Sequence, residues 1–155
     1  MMENFEVQGI THEIRNILCC NLERDETLKE ITILLKERVF HYDWVGFYIM
    51  DDDNSGLNLG PYTGKSTIHT FIPVGKGICG QVAEKKETII VQDVSNIDNY
   101  LSCSIDVRSE IVVPILKNGK FVAELDIDSH STSPFNEVDK SMLEEICREL
   151  AVLFK

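Results

Sequence analysis

Two of the five cysteines stand where a thiol could react. Cys79 is the penultimate residue of GKGICG (Gly75 to Gly80), and Cys103 lies in YLSCSIDVRSE. GKGICG has the G-x-G-x-x-G spacing of a dinucleotide-binding turn. Such a turn needs a strand before it, a long helix after it, and an acidic residue about 20 residues on, closing a parallel strand. Here only a few residues separate Gly80 from ETIIVQD, and Asp93 arrives too early for a crossover helix. The second reading is a helix start, in which Gly75 and Gly77 let the backbone turn sharply. The free N–H groups of the first turn would then hold part of Cys79 as thiolate. A third reading makes Cys79 a small buried filler. The stretch alone leaves the last two open.

Cys103 sits in a long polar segment with no apolar period, and loops of this length often carry function. Arg108 is close enough in sequence to favour a thiolate there. Cys147 falls on the apolar stripe of the last helix and reads as core. Cys19 and Cys20 belong to the first helix, and at least one of them should pack inward. ELDIDS sets Glu124, Asp126 and Asp128 on one face of a strand and Leu125 and Ile127 on the other. For an isolated strand, a solvated face is the plain expectation. Asp is a poor strand residue, however, so two at i and i+2 raise the question of a bound cation. That cation could be a metal or the ammonium group of a small substrate, although no His or Cys at ligand spacing supports zinc. Trp44 and Tyr48 share a face of WVGFYIM, where they would floor an apolar pocket or simply fill core. His12, His41, His69 and His130 pair with no obvious nucleophile.

These groups must be positioned by one domain, since the chain has 155 residues. The formal net charge of −11 disfavours nucleic acid and anionic membrane surfaces. No apolar run approaches the ~20 residues of a membrane span, and the N-terminus lacks a signal-peptide pattern. An odd, irregular set of cysteines is no disulfide framework and suits a reducing cytosol. Apolar spacing predicts helices over 9–40 and 136–155, flanking a sheet over 43–128. Asp25 is the expected N-cap of the second helix, and Leu28, Ile31, Leu35 and Val39 its apolar stripe. WVGFYIM, LNLGPYTG, STIHTFIPV and TIIVQDV read as strands, and ICGQVAEKKE as a short helix. EIVVPIL and KFVAELDID flank Asn118-Gly119, a hairpin signal. The fold class is α+β, a mostly antiparallel sheet with the N- and C-terminal helices packed on one face.

The set DWVGFY, LGPYTGK, IPVGKGICG, SEIVVPI and LDIDS…FNEVD, in this order over residues 43 to 139, closely resembles the free methionine-(R)-sulfoxide reductases. These are single GAF domains, and the resemblance implies one GAF domain over residues 1–155. It further implies thiol-dependent reduction of free methionine-(R)-sulfoxide, with no metal or organic cofactor. By resemblance, Cys103 attacks the sulfoxide sulfur and is left as a sulfenic acid. Cys79 condenses with it to a disulfide, and thioredoxin reduces the pair. Glu110, Asp126 and Asp128 match the carboxylates that hold the substrate. Trp44 and Tyr48 match the aromatic residues around its methyl end. The family's third cysteine is missing, because GKSTIHTFIP is one residue longer and has Ile68 or His69 in its place. GAF domains also sense small molecules without catalysis, so a non-catalytic binding or redox-sensing domain is the competing class. The apolar terminal helices offer a surface for a homodimer, and the expected compartment is cytoplasmic.

A two-residue turn at Asn118-Gly119 pairs Lys117 with Lys120, which sets Glu110 on the face opposite Asp126 and Asp128. The three carboxylates can share a pocket only if a bulge intervenes, and the expected place is near Pro114, which cannot donate to the ladder.

Overall fold

A computed structural model of the chain describes residues 2–98, 100 and 105–155. Two helices lead, α1 (Asn4–Leu18) and α2 (Arg24–Arg38). Each begins with a carboxylate at the N-cap and a glutamate three residues on, Glu3 with Glu6 and Glu23 with Glu26, in reciprocal capping boxes. Glu23 therefore caps α2 rather than Asp25, which lies inside its first turn. Helix α1 starts well before residue 9 and ends at Leu18. Cys19 and Cys20 fall beyond it and are both exposed, contrary to the expectation that one packs inward.

The strands are β1 (Trp44–Met50), β2 (Gly56–Thr63), β3 (Phe71–Pro73), β4 (Ile89–Val91), β5 (Ser109–Lys117) and β6 (Lys120–Ser129). They form one antiparallel sheet in the order β3-β2-β1-β6-β5-β4. Of STIHTFIPV only Phe71 to Pro73 pairs; Ile68 is exposed and residues 66–70 run as loop. Helix α4 (Glu137–Leu150) closes the chain. Alternation sends Val45, Phe47, Ile111, Val113, Leu125 and Ile127 to one face, where α1, α2 and α4 cover them. Leu28, Ile31 and Leu35 of α2 are wholly buried there, each stabilising by roughly 1.5–3 kcal/mol. Cys147 is buried in the same layer.

Helix α3 (Gly77–Lys85) does something different. Strands β3 and β4 are the two edges of the sheet, so the chain between them has to cross it. The helix crosses on the second face, packing against β5, β6 and β3. It buries Ile78, Cys79 and Val82 against Trp44, Tyr48 and Val112. Helices thus lie on both faces, and the terminal ones share the first.

Asp139 ties α4 to the connection between α2 and β1. It accepts hydrogen bonds from Tyr42 Oη at 2.7 Å and His41 Nε2 at 2.9 Å. Its other oxygen accepts the Asn136 backbone N–H, completing the α4 capping box. Burial pushes this carboxyl up, but the bonds from His41, Tyr42 and Asn136 outweigh it and hold Asp139 below its ordinary value. A depressed carboxylate adds stability above its unfolded pKa and loses it as pH falls through the folded one. Asp139→Ala is therefore expected to cost about 2–4 kcal/mol at pH 7, since it strands a buried hydroxyl and removes a cap. Thermal unfolding at pH 7 and at pH 3 checks this, with the gap to wild type shrinking at the lower pH.

Candidate active site

The second face of the sheet is where the sequence-predicted carboxylates meet. In register, Trp44, Asp128 and Glu110 form one row across β1, β6 and β5. Gly46, Asp126 and Val112 form the next, and Tyr48, Glu124 and Pro114 the third. Glu110 shares this face because the β5–β6 ladder shifts register between Ile115 and Leu116, where Val122 is the extra residue of β6. The bulge required by parity lies one pair beyond Pro114. Asn118 and Gly119 both have positive φ, as a tight hairpin turn demands.

The face is not solvated. Glu110, Glu124, Asp126 and Asp128 are 3%, 0%, 1% and 0% exposed. What covers them is the start of α3, and GKGICG explains how it gets there. Gly75 and Gly77 have positive φ. The N–H of Gly75 donates to Gly80 O at 2.8 Å and that of Gly80 to Lys76 O at 2.8 Å. A Cβ on Gly80 would lie 2.6 Å from Pro73 O. The glycines therefore make a tight turn into a helix that links opposite edges of the sheet, and among the described residues no adjacent parallel strand follows for a dinucleotide.

Cys79, in the first turn of α3, donates its thiol to Asp126 Oδ2 at 3.4 Å. Its predicted thiolate character is overturned. Burial first, then the carboxylates of Asp126, Glu124 and Glu110, push the thiol well above its ordinary value. A helix N-terminus contributes at most ~2 kcal/mol toward a thiolate, whereas full burial and like charge shift a group by up to ~3–5 pK units. Burial likewise raises Glu124 and Asp126. At Asp126 the neighbouring Glu110 side chain and Cys79 thiol work against that rise. One donor atom each from Cys79, Glu110 and Asp126 come within 4.8 Å of one another, close enough to hold a cation between them. A narrow cleft opens onto them between Tyr48, His69, Ile72, Lys76 and Ile78. A roomier hollow of about 690 Å³ at Glu23, Met50, Lys120 and Phe154 contains no thiol.

Trp44 and Tyr48 pack against each other with ring centroids 6.5 Å apart, and of the two only Tyr48 lines the cleft at Cys79, Trp44 facing a separate hollow with Asp43, Lys65 and His130. Trp44 donates its indole N–H to Lys65 O at 2.9 Å and stacks on Tyr62, with ring centroids 5.3 Å apart. Tyr48 donates its hydroxyl to His69 O at 2.8 Å. Thus His69, one of two candidates for the missing third cysteine, lines the cleft, while Ile68 points to solvent. Tyr62 was absent from the sequence reading, although LGPYTGK carries it. The indole lies across Gly46: a Cβ there would collide with the Trp44 ring and sit 2.8 Å from Tyr62 Cβ. Gly46→Ala should displace the ring and weaken substrate binding by about tenfold, since overpacking costs ~1–3 kcal/mol. The chain's one tryptophan makes its fluorescence a direct probe of this change. Cys103 lies outside the described residues. Arg108 donates to Ile105 O and Val107 O.

A thiol on a helix that covers buried carboxylates, over an antiparallel sheet with helices on both faces, is the arrangement to compare with known proteins. Residues 23–154 match the GAF domain family. The free methionine-R-sulfoxide reductase of Saccharomyces cerevisiae is 38% identical over 131 residues, spanning 83% of this chain and 71% of that protein. That of Escherichia coli is 35% identical over 124 residues, spanning 80% and 73%. The structure of free methionine-R-sulfoxide reductase from Neisseria meningitidis, in complex with its substrate, superimposes with a TM-score of 0.91 at 31% identity. It covers 99% of this chain and 92% of that one. The chain belongs to the GAF domain family and, within it, to the free methionine-R-sulfoxide reductases.

Proposed function

We propose that this protein reduces free methionine-(R)-sulfoxide to methionine with its own thiols. The observation that carries the reading is the row of buried carboxyls beneath the Cys79 thiol. Carboxylates withdrawn from water favour a cationic guest, and the ammonium group of a free amino acid is such a guest, whereas a residue within a chain has none. Trp44 and Tyr48 give the methyl end an apolar wall. The Cys103 thiolate attacks sulfur, and a protonated carboxyl supplies the proton that the sulfoxide oxygen takes up. Methionine leaves and Cys103 is left as a sulfenic acid. The Cys79 thiol displaces its hydroxyl as water, forming a disulfide. Thioredoxin then reduces that disulfide by exchange. Cytoplasmic residence, a single domain over residues 1–155 and a homodimer through the terminal helices belong to the same reading. Among the described residues no helix is long and apolar enough to cross a membrane.

Methionine formation from the separated R and S epimers, with dithiothreitol as reductant, tests the assignment. The expected result is product from the R epimer alone. No product from either, or equal product from both, would sink it. The burial of Cys79 is what favours the competing reading of a binding or sensing domain, for which the epimers would bind without product.

A further inference from the structure

A hollow of about 460 Å³ shares no lining residue with the cleft at Cys79. Strand β4 pairs only with residues 110–112 of β5, so beyond Val112 the outer edge of β5 has no strand beside it among the described residues. The hollow lies along that edge, between the end of α3 and one side of α4. Its floor is apolar, formed by Val113, Pro114 and Leu116, and Leu116 is 36% exposed. A concavity of this volume suits a small organic molecule.

Three cations line it, Lys86, Lys140 and Arg148, in a chain whose formal net charge is −11. None of the three forms an ion pair among the described residues. By contrast, Arg15, Arg24 and Arg38 bind carboxylates, and Arg108 binds backbone carbonyls. Lys140, Glu144 and Arg148 stand four residues apart on α4, the spacing at which Glu144 would pair with either neighbour. Glu144 instead accepts the Thr88 hydroxyl at 2.9 Å, which leaves both cations to the hollow. Lys86 is the C-cap of α3, in a left-handed conformation (φ 60°) that glycine adopts most easily. Its ammonium group donates to Gly119 O at 3.3 Å, which holds it at the hairpin turn with donors to spare. Glu87, the other carboxylate of the rim, is exposed.

We propose that this hollow is a second binding site, for a small organic anion. Its acidic head lies among Lys86, Lys140 and Arg148, and its apolar body covers Pro114 and Leu116. The inference goes beyond the reductase reading and does not rest on it. The Arg148 guanidinium offers a planar fork that two anionic oxygens fill, and the two ammonium groups add charge without a fixed geometry. Carboxylates and phosphate monoesters share this chemistry. A neutral molecule of the same shape gains only the burial of the apolar floor.

The test is titration of the ¹⁵N-labelled full chain at low ionic strength with phenyl phosphate, benzoate, inorganic phosphate and benzyl alcohol, read by amide shifts. Phenyl phosphate or benzoate should give saturable shifts at Lys86, Thr88, Leu116 and Lys140, and the tighter of the two identifies the head group. Arg148→Gln and Lys140→Gln should each weaken that binding at least tenfold, the loss of one charge-assisted hydrogen bond. Leu116→Ser should weaken the aromatic anion and leave inorganic phosphate unchanged. Arg148 and Leu116 are exposed, so these variants keep the fold, and unmoved amides in the rest of the sheet check it. Absence of a saturable shift at the hollow would overturn the proposal. So would benzyl alcohol or inorganic phosphate binding as tightly as the aromatic anions, or wild-type affinity in Arg148→Gln. Methionine formation is no part of the readout, so the reductase reading stands or falls separately.

Discussion

Cys103→Ser is expected to release no methionine even in a single turnover. Cys79→Ser is expected to release about one equivalent per chain and then stall with thioredoxin, because a nucleophile can react once without its resolving partner. The surroundings of Cys79 suit it to the second role. Cys79 is 5% exposed, seated on Asp126 and pushed up by burial and three carboxylates. A thiol in that state is a poor first nucleophile, since the thiolate is the attacking species. It is better suited to a second step, once the first has created an electrophilic sulfur. Loss of the attacking group typically reduces the rate by on the order of 10³-fold or more. Quantifying methionine after stoichiometric mixing of each variant checks the order. A full burst from Cys103→Ser with none from Cys79→Ser would reverse the roles.

N-acetylation of the substrate should abolish turnover. The α-ammonium group is the only cation that free methionine sulfoxide offers, and Glu110, Asp126 and Asp128 are the carboxylates read as receiving it. A hydrogen bond to a charged group contributes ~1.5–3 kcal/mol, and a buried carboxylate left unpaired costs more. Losing two such bonds lowers kcat/KM by roughly 10²- to 10⁴-fold. Comparing the free and N-acetylated R epimers under one assay measures it, and equal turnover of both would remove the ammonium-binding role. Asp126→Asn should reproduce much of the loss with the free substrate, because Asp126 stands at the centre of the face, beside side-chain-free Gly46.

Much of the scaffold was legible because its signals are local. The short apolar run WVGFYIM and the Asn118-Gly119 pair mark β1 and the β5–β6 hairpin. Parity alone required a bulge to bring Glu110 beside Asp126, and the ladder contains it. What was not legible depended on contacts distant in sequence. The carboxylate face of β6 is buried only because α3 crosses from one sheet edge to the other, and no spacing within ELDIDS records that crossing. The same crossing reverses the expected effect on Cys79: the helix terminus favours a thiolate, and the carboxylates it lands on oppose one more strongly. Asp25 was displaced as a cap because Glu23 and Glu26 satisfy each other's backbone three residues apart. Ile68 alternates with its neighbours as a strand residue would, yet it points to solvent, and the strand pairing of its segment begins only at Phe71.

The central claim is that this GAF domain turns over free methionine-(R)-sulfoxide rather than only binding it. Oxidation of NADPH in the presence of thioredoxin, thioredoxin reductase and the free R epimer tests that most directly, with Trp44 fluorescence reporting binding in the same cuvette. The account predicts steady NADPH consumption, stoichiometric with the methionine formed and absent in Cys103→Ser. Saturable quenching of Trp44 with no consumption of NADPH would contradict it and leave a sensor in place of an enzyme.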